Sequence, residues 1–367
     1  MAGTKELERD PLNDRPRGDR AAVRGVPVHV EDPTIEQLAE VAERTDELAV
    51  RRQLFGWREL ISTLIPIALI AYFARNVDWS QAFATLSRAQ PLYVLAALVV
   101  YYLSFPVRAI RWARLLREGG TDIAGRELLR ILLLGWFVNC LVPAKLGDLY
   151  RSYLVKKRFG ISLSRTVGVV VAERLLDLFV VFGLLVVDGY VAFGRTVLPD
   201  MNVLYVTGIG LGLLIAAGLV AIYAIAPRVA RFFPREVQRI SRLFREGVLH
   251  SFRALPVAGP MTLLVWFFET ARLFFVILAL GLFLPLSQVV FVAVAASLLT
   301  TVPLTPAGFG FVEIAMVYVL TAGFGLAQND AVAVAVVDRA VSVFSVIVVG
   351  GILYLRSQSV ERIGASG

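Results

Sequence analysis

The chain has 367 residues, 57% of them hydrophobic and 18% charged, with a mean hydropathy of +0.70, values that exclude an ordinary soluble domain and make lipid the solvent to reason with. The net charge of +8 does not point to nucleic acid, because the basic residues lie between apolar runs instead of forming one stripe, and membrane topology is the better reading of them. One cysteine, Cys140, and two histidines, His29 and His250, exclude a disulfide framework and leave a metal centre little to be built from, so neither metal nor cofactor is expected.

Residues 1–55 open with Lys5, Glu6, Glu8, Arg9, Asp10 and Pro11 and hold no apolar core. The segment is therefore not a cleaved signal peptide and is expected to stay cytoplasmic as a largely flexible tail. Within it Thr34 and Gln37 have the form of a capping box, and Ile35, Leu38, Val41 and Leu48 suit one helical face, which leaves open an amphipathic helix. Residues 56–357 are expected to form one transmembrane domain, and 358–367 a second cytoplasmic tail.

Apolar runs recur at Leu60–Ala74, Pro91–Pro106, Leu128–Val142, Val167–Val187, Val203–Ala226, Met261–Leu284, Ser287–Val302, Phe311–Phe324 and Ala331–Leu355. A helix needs about 20 apolar residues to cross a bilayer, and several of these runs are too short. Twelve Lys and Arg residues lie between Arg108 and Arg165, interrupted by the single run Leu128–Val142. If that run crossed, one basic flank would stand outside, against the positive-inside rule, so the segment is expected to dip in and return. Pro227–Pro260, with seven arginines against two acids, then falls on the cytoplasmic side. Gly281–Asp330 has no Lys or Arg and belongs outside or within the membrane. The fold class expected is an all-α polytopic membrane protein with about six full spans, two re-entrant helical hairpins and both termini in the cytoplasm.

The second half repeats the first at an offset near 164. Arg108 meets Arg272, Pro143-Ala144-Lys145-Leu146-Gly147 meets Pro306-Ala307-Gly308-Phe309-Gly310, and Glu173-Arg174 meets Asp338-Arg339. Each half (about 60–190 and 203–355) holds three spans and one hairpin, so an odd number of crossings makes the repeat inverted. Proline and glycine at each hairpin tip free backbone groups that lipid cannot satisfy, and the helices starting after the tips would aim partial positive charge at the midplane. A packed structural helix break is the alternative reading.

Arg174 and Arg339 each lie about 14 Å deep at 1.5 Å rise per residue. A charge there costs roughly 2.5 to 3.5 kcal/mol, so each is expected to face a wet cavity or a counter-charge from another helix. The residues that would form a polar path to substrate are Lys145, Asp148, Arg151, Glu173, Arg174, Asp177, Arg272, Gly308, Gly310, Glu313, Asp338 and Arg339, the alternative being a salt-bridge lattice between helices. Arg108, Arg111 and Trp112 are read as snorkelling and interface anchors where the second span ends. Asn139 suits freed carbonyls, and Cys140 suits packing. No Ser-His-Asp set, Walker loop or metal-ligand spacing is present.

Arg108-x-x-Arg111-Trp112, Asn139-x-x-Val142-Pro143-Ala144-x-x-Gly147-Asp148-x-x-Arg151, Glu173-Arg174-x-x-Asp177 and Pro303-x-Thr305-Pro306-Ala307-Gly308-x-Gly310-x-x-Glu313 together resemble the lysylphosphatidylglycerol synthase transmembrane-region family, also described as flippase-like, over roughly Leu60–Leu355. The resemblance implies an inner-membrane protein that moves a lipid between leaflets, with Asp148, Arg151, Glu173, Arg174 and Glu313 lining its cavity. The soluble aminoacyl-transferase domain of the synthases is expected to be missing, so synthesis is not carried over, and Ala307 stands where relatives often place another glycine. Membrane lipids are the expected partners, with a homodimer or a separate lipid-modifying enzyme left open. A membrane-embedded lipid transferase and a scaffolding subunit are the rival functions.

Overall fold

The computed structural model describes residues 79–142, 145–193, 210, 217–301 and 305–364. The expected run Leu60–Ala74, most of Val203–Ala226, and the 1–55 segment lie outside the described residues. Those described form helices and no strand: α1 (Trp79–Ser87), α2 (Pro91–Glu118), α3 (Gly125–Leu141), α4 (Leu146–Phe159), α5 (Leu163–Phe193), α6 (Ala226–Ala230), α7 (Arg235–Ser251), α8 (Leu255–Ala279), α9 (Leu286–Thr301), α10 (Phe311–Tyr318), α11 (Gln328–Arg339) and α12 (Ser345–Gly364). Among the described residues four stretches are long and apolar enough to cross a bilayer: Pro91–Glu118, Arg235–Ala279, Pro306–Gly323 and Gln328–Ser357. The 31-residue α5 is long enough too, but carries Glu173, Arg174 and Asp177 along its length.

Helix α2 shows how such a segment sorts its faces. Its outward stripe is apolar, with Leu92, Leu95, Val99, Leu103 and Ile110 all exposed. Its buried stripe, Tyr101, Ser104, Arg108, Arg111 and Leu115, recurs at helical spacing and carries the polar groups. This is the reverse of a soluble helix, and it follows from a solvent that welcomes Leu and penalises Arg. Pro106, where the apolar run ends, sits inside the 28-residue helix and does not stop it. Arg108 and Arg111 are therefore core residues, 6% and 0% exposed, and the expectation that they snorkel at an interface is corrected.

The first hairpin is α3 followed by α4. At 17 and 14 residues these helices are about 25 and 21 Å long, short of a bilayer core of about 30 Å. They meet backbone to backbone: a Cβ on Gly147 would stand 1.9 Å from the Gly135 carbonyl oxygen. The second hairpin joins α9, 16 residues long, to α10 and the π-helical turn Val319–Gly323 that extends it. Another π-helical turn, Ala340–Phe344, joins α11 to α12 directly after Arg339. The stretch Pro227–Pro260 is mostly helical, because α7 has apolar residues on one face and arginines on the other and packs on α5. There Gly168 and Gly247 allow contact with the Phe244 and Arg165 carbonyls, which a Cβ would approach to 2.2 Å.

Candidate functional site

The site grows from the extensive pairing of α2 with α8. Tyr101 meets Arg272, Arg108 meets Glu269 and Arg111 meets Thr262, an order that makes the two helices antiparallel. Arg108 Nη2 donates to Glu269 Oε1 at 2.5 Å, and its guanidinium lies 4.8 Å from the Trp136 ring centre. Arg111 Nη1 donates to Thr262 Oγ1 at 2.7 Å, and the Arg272 guanidinium lies 5.5 Å from the Tyr101 ring centre. Buried from bulk solvent, such charge-assisted contacts are stronger than surface pairs.

Around Arg111 the first-half residues form one lattice. Arg111 donates to Asp177 Oδ1 at 2.5 Å and to Glu173 Oε1 at 2.8 Å. Glu173 Oε2 accepts from Arg151 Nη2 at 2.9 Å, and Arg151 stacks 4.8 Å from the Trp112 ring centre. Arg174 grips Asp148 with two parallel bonds of 2.9 Å, the fork geometry that guanidinium and carboxylate share. Adjacent Glu173 and Arg174 thus find partners on other helices, as their spacing requires.

The second half repeats this with fewer members. Arg272 Nη1 donates to Asp338, and Arg272 Nε donates to Glu269 Oε2 at 3.3 Å. Arg339 Nε lies 3.1 Å from Glu313 Oε1. Two spacings recur across the halves. Arg111 and Asp177 are 66 residues apart, and so are Arg272 and Asp338. Arg174 and Asp148 are 26 apart, and so are Arg339 and Glu313 (339 − 313).

Both tips hold a non-glycine residue in the left-handed region, Lys145 at φ +52° and Ala307 at φ +51°, the two such residues among those described. Each costs roughly 1 to 2 kcal/mol. Each is held by its surroundings. Asn139 Oδ1 accepts from the Gly147 N–H at 2.8 Å, serving a freed donor and not the freed carbonyls expected of it. Glu313 Oε2 accepts from the Gly310 N–H at 2.7 Å, and Thr305 Oγ1 donates to the Phe309 carbonyl at 3.0 Å. Asp148 and Glu313 occupy the first turns of α4 and α10, where the helix dipole favours them. The amides of Gly147 and Gly310 are therefore already taken, and an incoming anion would meet side-chain cations.

These elements enclose a partly open cavity of about 160 Å³. Of the residues singled out in the sequence, Lys145, Arg174, Asp177, Arg272, Gly308, Asp338 and Arg339 line it. Asp148, Arg151, Glu173, Gly310 and Glu313 are not among the lining residues; Asp148 holds Arg174, Glu313 lies beside Arg339, and Arg151 pairs with Glu173 and Asp148. The wall also includes Tyr101, Arg108, Trp136, Asn139, Cys140, Trp266 and Glu269. Arg108 and Arg111 are the members of the site that sequence reasoning put elsewhere. Their three-residue spacing, continued by Ser104 and Tyr101 on the same face, is the signal that places them inside. Among the described residues no group of three or more His, Cys, Asp or Glu side chains is arranged to hold a metal ion.

The family model described as "Lysylphosphatidylglycerol synthase TM region" matches residues 59–350. The chain is 35% identical over 222 residues to a UPF0104 membrane protein of Methanocaldococcus jannaschii, covering 59% of this chain and 93% of that protein. It is 30% identical over 345 residues to Glycosyltransferase AglD of Haloferax volcanii, covering 82% of this chain and 54% of that protein. A UPF0104 membrane protein of Methanothermobacter thermautotrophicus is 26% identical over 311 residues, covering 76% of this chain and 90% of that protein.

Proposed function

We propose, from the premise that this chain belongs to the lysylphosphatidylglycerol synthase TM region family, that it is a multi-pass membrane protein which moves a lipid between leaflets, its headgroup in the central cavity and its acyl chains in the bilayer. The observation that carries this reading is the cavity itself. Five cations, Arg108, Lys145, Arg174, Arg272 and Arg339, face it together with Asp177, Glu269 and Asp338. Ionised groups placed so far into apolar helices mark a polar path, since each is costly without a partner or a wet surface.

An inverted repeat supports alternating access. The counterpart helices α2 and α8 run antiparallel, and the spacings of 66 and 26 residues recur in both halves. On this proposal the first tip opens to the cytoplasm and the second to the exterior of the cytoplasmic membrane, with both termini in the cytoplasm. The test is reconstitution of the purified protein in liposomes with tail-labelled lipids. Transport above that of empty vesicles, lost in Arg174→Ala, is expected; no acceleration for any headgroup would refute translocation.

The match to a relative named a glycosyltransferase favours, as a second reading, a membrane part that serves lipid modification. Its sign would be a modified lipid formed from an acceptor lipid and an activated sugar, with no transport in liposomes.

A further inference from the structure

The cavity's charges balance in an uneven way. Six arginines and six carboxylates pair off: Arg108 with Glu269, Arg111 with Asp177, Arg151 with Glu173, Arg174 with Asp148, Arg272 with Asp338, and Arg339 with Glu313. Glu173 also accepts from Arg111, and Glu269 from Arg272, so every carboxylate in the set has at least one guanidinium. The seventh cation, Lys145, lines the cavity, and its ammonium has no ion pair or hydrogen bond among the described residues. The indole N–H of Trp266, another lining residue, is buried and unpartnered. On the acceptor side nothing matches these two donors, because each lining carboxylate is already engaged by arginine.

Resting on the translocation reading, we infer that the cavity selects a headgroup with net negative charge, a phosphodiester without a fixed positive group, with Lys145 as the counter-cation that the phosphate completes. A cationic headgroup would find no free carboxylate and would add like charge beside Lys145. The ammonium suits this role, since it is a compact charge on a flexible stem, whereas each guanidinium is fixed in a fork. Its place supports the assignment: Lys145 sits in the first tip directly before α4, on the cavity wall.

The experiment uses the full chain in liposomes with three lipids of identical labelled tails: phosphatidylglycerol, phosphatidylethanolamine and lysyl-phosphatidylglycerol. Phosphatidylglycerol is expected to cross at least about tenfold faster than the lysyl form, with Lys145→Gln cutting its rate about tenfold and Lys145→Arg retaining it. Binding is read separately, by mass spectrometry of lipids held by wild type and Lys145→Gln in nanodiscs of the same mixture. Folding of each variant is checked by its thermal melting. Equal or faster movement of the lysyl form, or unchanged selectivity in folded Lys145→Gln, would overturn the inference. If no lipid moves but wild type still retains phosphatidylglycerol and Lys145→Gln does not, the selectivity stands and the translocation reading falls. If no lipid moves and retention shows no preference, both fall.

Discussion

Arg108 on α2 and Glu269 on α8 meet at 2.5 Å across the two halves of the chain, 161 residues apart. The same separation relates Arg111 to Arg272 (272 − 111) and Asp177 to Asp338 (338 − 177), the two salt bridges that flank this contact. On the proposal of an inverted repeat, Arg108 and Glu269 would be bonded to their own counterparts beside a pseudo-two-fold axis. Arg108→Glu is expected to lower stability by about 3 to 5 kcal/mol by setting two carboxylates together, and Arg108→Glu with Glu269→Arg to recover much of it. Thermal melting of the four proteins in detergent gives the comparison; equal losses in single and double variants would deny the coupling.

Arg111 is the most connected member of the first-half lattice, fully buried and bonded to Asp177, Glu173 and Thr262. Arg111→Met leaves Asp177 short of its closest partner, and a loss of about 3 to 5 kcal/mol is expected. Arg117, exposed and paired with Asp122, is the control: Arg117→Met is expected to cost less than about 1 kcal/mol. Melting temperatures that fell equally would show that Arg111 is not buried as described.

Helix α2 shows where the sequence was legible and where it was not. Its existence and its apolar outer stripe follow from composition and spacing. What misled was Pro106: a proline after an apolar run reads as the end of a span, which turned Arg108 and Arg111 into interface residues. In the structure Arg111 holds Asp177 and Arg272 holds Asp338. Proline can sit within such a helix because neighbouring helices support the freed carbonyl, and no property of one sequence reports that packing. The tips were legible as Pro-Gly breaks, and Glu173 and Arg174 as residues in need of partners elsewhere. Which acid each would take depends on three-dimensional closeness, and is recognisable afterwards in the repeated spacing of 26 residues.

Gly147 carries the close contact between α3 and α4. Gly147→Ala is expected to cost more than the usual 1 to 3 kcal/mol of overpacking, about 4 kcal/mol, because its Cβ meets a carbonyl that cannot rotate away. Gly259→Ala, where a Cβ meets nothing within 4 Å, is expected to be neutral or slightly stabilising through helix propensity, by less than about 1 kcal/mol. Purified yield and thermal melting distinguish the two, and a harmless Gly147→Ala would contradict the backbone contact.

The tip clamps make a matched pair. Arg174→Ala should leave Asp148 with Arg151 as its remaining cation, and Arg339→Ala should strip Glu313 of its guanidinium, so both variants are expected to slow lipid transport about tenfold or more. Exchange of charges within a clamp, Arg174→Asp with Asp148→Arg, is expected to restore part of the loss, with a coupling of about 1 to 3 kcal/mol. Transport unaffected by both arginine variants would mean that the tips hold structure alone.

Accessibility of the two tips tests the inverted architecture most directly. In a Cys140→Ser background, single cysteines at Lys145 and at Ala307 are treated in intact cells and in inverted vesicles with a reagent that does not cross membranes. The position of Lys145 is expected to react from the cytoplasmic face and that of Ala307 from the external face. Reaction of both from the same face would contradict an inverted repeat around a shared cavity.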